Sequence, residues 1–229
     1  MDDTQCLINA AKNNDLQALK HLLAYGANPN LKDNDGTTAL MEASERGHTE
    51  IVRMLLDRGA DPNIADKHGW TALILASLEG YTEIVRMLLD HDADPNHADN
   101  DGTTALLVVS YFGFSQIVRM LLADDADPNL KGHYGRTALI LASRRGHIKI
   151  VRMLLDHGAN PNMKDKDGRT ALMEASYNGR AEIVRILLED GANPNLQDND
   201  GYTALMLASS REHTTIEALL LDYGAVLTL

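Results

Sequence analysis

A block of 33 residues recurs six times in this chain, in register and without an insertion. Thr-Ala-Leu begins at Thr38, Thr71, Thr104, Thr137, Thr170 and Thr203, and Ala-Asp/Asn-Pro-Asn begins at Ala27, Ala60, Ala93, Ala126, Ala159 and Ala192. A fixed period means one supersecondary unit stacked on itself, each copy burying its apolar face against its neighbours. The copies then serve as an internal alignment. Positions that never change hold the stack, and positions that change freely are available for function.

Residues 33–65 give the pattern of one unit. Gly36 ends a polar stretch, Asp33-Asn34-Asp35, and the Thr38 hydroxyl is placed to cap a helix start. Ala39 to Ser44 is too short for a free helix, so packing must hold it. Gly47 fits the left-handed residue that ends a helix, and Thr49 is expected to cap the next one. Ile51-Val52-Arg53-Met54-Leu55-Leu56 carries a wide apolar face with Arg53 outside. Gly59 is a second stop, and Ala60-Asp61-Pro62-Asn63 opens an extended loop. The unit reads as helix, tight turn, helix and long polar hairpin-like loop.

The string Asp-x-x-Gly-x-Thr-Ala-Leu-x-x-Ala-Ser-x-x-Gly-His-x-Glu-Ile-Val-Arg-x-Leu-Leu-x-x-Gly-Ala-Asp-Pro-Asn resembles the ankyrin repeat, and the likeness covers nearly the whole chain. Two departures recur. Ala39 and its equivalents replace the family's Pro, and Met41 or Ile74 replaces its His, which should cost rigidity or a hydrogen bond at the helix start. The resemblance implies an all-α ankyrin-repeat solenoid and one domain over 1–229. That domain divides into an amino-terminal cap repeat (1–32), repeats at 33–65, 66–98, 99–131, 132–164 and 165–197, and a carboxy-terminal cap repeat (198–229). The caps are recognised by the missing first loop and by Glu217 and Ala218 in place of Val-Arg, and they predict a complete array.

Composition removes several function classes. The net charge of −12 disfavours nucleic acid as a partner. One cysteine, Cys6, excludes an intramolecular disulfide and fits a reducing setting. The amino terminus is acidic where a secretory signal is basic and then apolar. No apolar run approaches the roughly 20 residues of a membrane span. The expected location is the cytoplasm, or a host's cytosol if a pathogen exports the chain.

Asp33-Asn34-Asp35-Gly36 and Asp165-Lys166-Asp167-Gly168 look like calcium-loop openings, with Glu42 and Glu174 downstream. The first ligand position would be Leu31 or Met163, however, so these read as polar turns. The nine histidines are dispersed, and His48, His147 and His213 share one repeat position, so no metal or cofactor is expected. Ser44, Ser77, Ser143 and Ser176 recur identically and offer no singled-out nucleophile, so no enzyme activity is expected. Arg53 and its equivalents, flanked by Glu50 and Asp57, read as a solvated ion-pair ladder along the outer helices. Glu42 and Glu174 stand where sister repeats carry Leu or Val, and are expected to bond loop backbone amides.

Function is sought where the copies disagree. In the ankyrin family, partners usually bind the concave side, made by the loop tips and the exposed face of the first helix. Six of the ten aromatic residues fall at the matching positions here: Trp70, Tyr111, Phe112, Tyr134, Tyr177 and Tyr202. Exposed aromatics and arginines dominate interface energetics. Residues 132–164 add six basic side chains against one acid, Asp156, whereas 33–65 and 66–98 each carry a net −4. Local rules also break nearby: Asp92 and Asp125 replace the helix-stop Gly, Val109 a small Ala, and Gly132 the opening Asp.

The predicted activity is therefore non-catalytic protein binding by a monomer. Trp70, Leu78, Tyr111 and Phe112 would be apolar anchors, flanked by Tyr177 and Tyr202. Tyr134, Arg136, Arg144, Arg145 and Arg169 would grip an acidic or phosphorylated segment. On this reading, Arg144→Glu with Arg145→Glu abolishes capture and leaves unfolding nearly unchanged. The alternatives are an inhibitor or substrate adaptor of one enzyme, and a generic repeat scaffold with no evolved partner.

Overall fold

The computed structural model describes residues 3–226; the outermost residues of both cap repeats lie outside the described residues. Its helices are α1 (Asp3–Lys12), α2 (Leu16–Ala24), α3 (Ala39–Glu45), α4 (Thr49–Asp57), α5 (Ala72–Glu79), α6 (Thr82–Leu89), α7 (Ala105–Phe112), α8 (Ser115–Ala123), α9 (Ala138–Arg145), α10 (Ile148–Asp156), α11 (Ala171–Tyr177), α12 (Ala181–Glu189), α13 (Ala204–Ser209) and α14 (Thr214–Asp222), with one 3-10 turn at His133–Gly135. No strand occurs among the described residues, and the hairpin-like loops show isolated bridges at Lys32–Thr38 and Ala98–Thr104. The fold is an all-α ankyrin-repeat solenoid.

Two compact units can be distinguished. The first runs to Val109 and includes Ala123–Ala126; the second holds Ser110–Leu122 and the chain from Asp127 onward. In the first, α1, α3 and α5 form an inner row, with α2, α4 and α6 behind it. In the second, α9, α11 and α13 form the inner row, with α10, α12 and α14 behind. Each unit's core repeats the apolar position the period demands: Leu55 and Leu88 in the first, and Leu121, Leu154, Leu187 and Leu220 in the second, are each 0% exposed.

The invariant residues each have a physical task. Thr38 Oγ1 accepts from the Met41 amide at 3.3 Å, and Thr137 Oγ1 from that of Ile140 at 3.4 Å, so Thr of Thr-Ala-Leu caps each short inner helix. Met41 does not forfeit the bond expected of the family's His, because its sulfur accepts from the Thr38 amide at 3.4 Å; Met173 does the same for Thr170. The Asn of Pro-Asn staples one loop to the next. Asn162 Nδ2 donates to Gly191 O (3.1 Å) while its Oδ1 accepts from the Asn193 amide (2.7 Å).

Two local expectations fail. Thr49 is the first residue of α4 and not its cap; His48 holds the cap position and makes no side-chain cap bond. The His48 ring instead meets Ala11 O through Nδ1 at 2.8 Å, so this position serves packing between repeats. Its counterparts lie against the preceding helix-stop glycine: a Cβ on Gly113 would sit 2.6 Å from the His147 ring, and one on Gly47 would sit 2.7 Å from the Tyr81 ring. The outer arginines also pair differently. Arg53 meets Glu50 at 3.6 Å but Glu83 of the next repeat at 3.1 Å, and Arg152 meets Glu182 at 3.5 Å. The ladder runs across repeats and does not use Asp57, and its exposed pairs are worth tenths of a kcal/mol.

The recurring serines place buried hydroxyls in both units. Ser44, Ser77, Ser110, Ser143 and Ser176 are wholly buried, and their Oγ atoms have no hydrogen-bond partner. Burying such a group unpaired is a cost that alanine avoids. Ser143→Ala is therefore expected to leave stability unchanged or raise it by about 1 kcal/mol, read as the urea midpoint.

Candidate functional site

The loop tips are built by the opening Asp of each repeat. Asp33 Oδ1 accepts from the Asp35 and Thr37 amides, both at 2.9 Å, and Asp66, Asp99, Asp165 and Asp198 repeat the arrangement. Oδ1 of each carboxylate thus forms the polar turn, and Oδ2 is left outside it. At Gly132 no carboxylate is available, and the tip closes as the 3-10 turn with Tyr134 left-handed at φ 58°. Its carbonyl is held by the Lys166 amide at 2.8 Å, and the residue is 55% exposed. The irregularity at Gly132 thus coincides with the projection of an aromatic from the tip.

The arginines predicted to grip a partner are in large part engaged within the second unit. Arg136 Nε lies 3.6 Å from Asp165 Oδ2, and Arg144 Nε lies 3.7 Å from Glu174 Oε2. Arg169 faces two carboxylates, Glu174 Oε1 at 3.4 Å and Asp198 Oδ2 at 3.6 Å. The acids are buried while the arginines remain part-exposed: the side chains of Asp165, Glu174 and Asp198 are 0%, 6% and 2% accessible. Glu174 therefore pairs with guanidiniums and with Asn178 Nδ2 (3.5 Å), and Glu42 pairs with Arg46 at 2.9 Å; the expected backbone-amide bonds are absent. At these two positions the compensation comes from neighbouring guanidiniums rather than from the loop backbone. The surplus charge of residues 132–164 is thus partly neutralised by acids of the following repeat. Arg136, Arg144, Arg169, Glu174, Tyr177 and Asn178 are among the residues lining a cleft of about 330 Å³.

Aromatic rings carry other arginines. Arg145 lies over Tyr111 at 3.9 Å, and Arg211 over Tyr177 at 4.2 Å, the same relationship two repeats further on. Phe112 is 49% exposed, edge-on to Tyr111 (5.1 Å) and stacked on Phe114 (5.9 Å). Tyr202 is exposed by the same fraction as Phe112. Trp70 and Leu78 are half-buried and belong to the first unit, whereas the other nine predicted residues belong to the second. Sequence reasoning missed Phe114, Asp165 and Asp198. Phe114 was detectable, because its column holds a planar side chain in several copies: His48, Tyr81, His147, Arg180 and His213. The two aspartates look identical to every other opening Asp, and only the arginine before each distinguishes them.

His147 adds a titratable group beside this surface. Its Nε2 meets Tyr111 O at 3.1 Å. Burial, aided by the nearby charges of Arg145 and Arg180, lowers its pKa below the ordinary 6.5. The unfolded chain then binds the extra proton first, so stability is full above about pH 6.5 and falls as pH drops toward the folded value. His147→Gln keeps a donor for Tyr111 and is expected to flatten this acid-side loss. Urea midpoints of both proteins from pH 7.5 down to pH 5 provide the check.

Stacked helix pairs joined by tight polar tips, with one variable edge of arginine and aromatic side chains, define a repeat protein built for protein–protein interaction. The family model "Ankyrin repeats (3 copies)" matches residues 7–99, 92–165 and 158–229, and the chain belongs to that family. Among solved structures, the ankyrin repeat domain of Bcl-3, described as a unique member of the IkappaB protein family, is similar at 33% identity and a TM-score of 0.80, covering 92% of this chain and 96% of that one. No curated protein matches the chain. Among the described residues, no helix is long and apolar enough to cross a membrane.

Proposed function

We propose that this chain is a non-catalytic, cytosolic binding protein, acting as a monomer, whose concave face seats an acidic or phosphorylated segment of a partner protein. One observation carries the reading: in the second unit, the exposed rings of Tyr134 and Phe112 occur on the same variable edge as the exposed side chains of Arg144, Arg145 and Lys166. Aromatic contact area with cationic side chains suits a peptide of opposite charge. The internal pairing of Arg136 and Arg169 narrows their role to holding the surface in shape. Arg144 contributes part of its charge, and Arg145 and Lys166 contribute the rest.

The pairing also changes how the reading is tested. Arg144→Glu would set a carboxylate against buried Glu174, so loss of capture would be mixed with loss of stability. Arg145→Gln with Lys166→Gln leaves the buried pairs intact. The double variant is expected to bind a short peptide of glutamate, aspartate and one phosphoserine about tenfold or more weakly than the wild type, with a thermal midpoint within a few degrees of it. Equal affinity in a titration calorimeter would overturn the assignment.

A further inference from the structure

We propose that the first unit carries a separate site, in the cleft lined by Glu42, Asp66, Trp70 and Asp99, which binds an arginine side chain presented by a partner protein. The internal alignment identifies the ligand. In the second unit, Oδ2 of Asp165 and of Asp198 each lies 3.6 Å from the guanidinium of the residue 29 positions earlier, Arg136 and Arg169 respectively, an ion pair without a direct hydrogen bond. Arg169 also reaches Glu174, five residues on. In the first unit the same positions place Thr37 before Asp66, Trp70 before Asp99, and Thr37 before Glu42, one oxygen of which, Oε2, pairs instead with Arg46 at 2.9 Å. Neither Thr nor Trp supplies a charge.

The consequence is visible in burial and bonding. Asp165 and Asp198 are each 7% exposed, whereas Asp66 and Asp99 are half-buried and form no salt bridge among the described residues. Asp66 Oδ1 is taken by the amides of His68 (2.8 Å) and Trp70 (2.9 Å), and Asp99 Oδ1 by those of Asp101 (2.9 Å) and Thr103 (2.7 Å). The other oxygen of each is the atom that meets arginine in the sister repeats. An open cleft of about 620 Å³ occupies this place, with Met41 and Leu75 on its apolar wall.

Each part of the cleft matches a part of an arginine. Met41, Leu75 and the indole of Trp70 suit the aliphatic stem, and the indole face attracts a cation. Asp66 with Glu42, the counterparts of the two acids that share Arg169, suits the planar guanidinium, which is less strongly hydrated than an ammonium and pairs with more than one acceptor. The cleft itself favours a cation, since Glu45 and Asp101 also line it and its lining includes no arginine or lysine. This site takes charge opposite to that of the acidic-segment surface and does not depend on it.

Trp70 is the chain's single tryptophan, so its fluorescence reports on this cleft alone. The test titrates the full chain with the capped peptide Ac-Gly-Ser-Arg-Leu-Gly-amide and with versions carrying citrulline or lysine in place of arginine. Saturable change is expected with the arginine peptide, about tenfold weaker with citrulline and weaker with lysine. Thr37→Arg, which supplies the missing side chain in cis, is expected to weaken the arginine peptide about tenfold without unfolding the chain. Asp66→Asn with Asp99→Asn should do the same. No saturable change with the arginine peptide, equal binding of the citrulline or lysine version, or undiminished binding to folded Thr37→Arg would each overturn the proposal.

Discussion

Arg169→Ala is expected to cost about 3–5 kcal/mol, the range found when one partner of a buried ion pair is removed. The reason is that Arg169 serves two acids at once, Glu174 and Asp198, whose side chains are 6% and 2% accessible. Losing the guanidinium leaves both carboxylates in a poorly solvated place, with Arg144 at 3.7 Å the remaining cation near Glu174. Arg145→Ala is the control. Arg145 lies over the Tyr111 ring and forms no buried pair, so about 1 kcal/mol is expected. Urea unfolding of the two variants beside the wild type separates the cases. Equal, small losses would mean that the buried acids are neutralised by some other means. Because repeat arrays unfold by neighbouring units, the Arg169 variant is also expected to lose its second unit first, seen as a broadened transition.

The second large effect concerns a glycine at a loop tip. Gly168 has φ +80°, and a Cβ there would lie 2.7 Å from the Asn199 amide nitrogen and 3.0 Å from the Asp198 carbonyl carbon. Those contacts are with backbone, which cannot step aside without breaking the bond from the Asn199 amide to Asp167 O at 3.0 Å. Gly158 has φ +82° with nothing within 4 Å of an added Cβ. Gly158→Ala therefore carries only the left-handed cost, about 1–2 kcal/mol, while Gly168→Ala adds overpacking of about 1–3 kcal/mol more. Thermal denaturation of both variants checks the difference, and equal shifts would show that the tips do not press on one another.

Much of the architecture was legible in the residues because the period exposes it. Thr38 and its copies read as caps and are caps; Gly47 and Gly59 read as left-handed stops and have φ +73° and +80°. Asp92 and Asp125, read as breaks of that rule, adopt the same left-handed turn at φ 62° and 60°. What stayed hidden was contact between repeats. Thr49 looked like a cap because only its own repeat was in view, while the ring of His48 bonds the preceding repeat. The basic stretch looked like free charge because its acids lie about 30 residues further on, at Asp165 and Glu174, and no local pattern links them. Charge counted along one repeat is therefore a poor guide to surface charge in a stack, where each side chain faces the neighbouring copies.

Where an acidic segment touches decides whether the second unit carries its binding surface. Backbone chemical shifts of the isotope-labelled chain, followed during titration with the glutamate, aspartate and phosphoserine peptide, address this directly. Perturbations are expected to concentrate at residues 133–136, 144–145, 166 and 177–178. Perturbations confined to the outer helices α10 and α12, or none at peptide saturation, would contradict that placement.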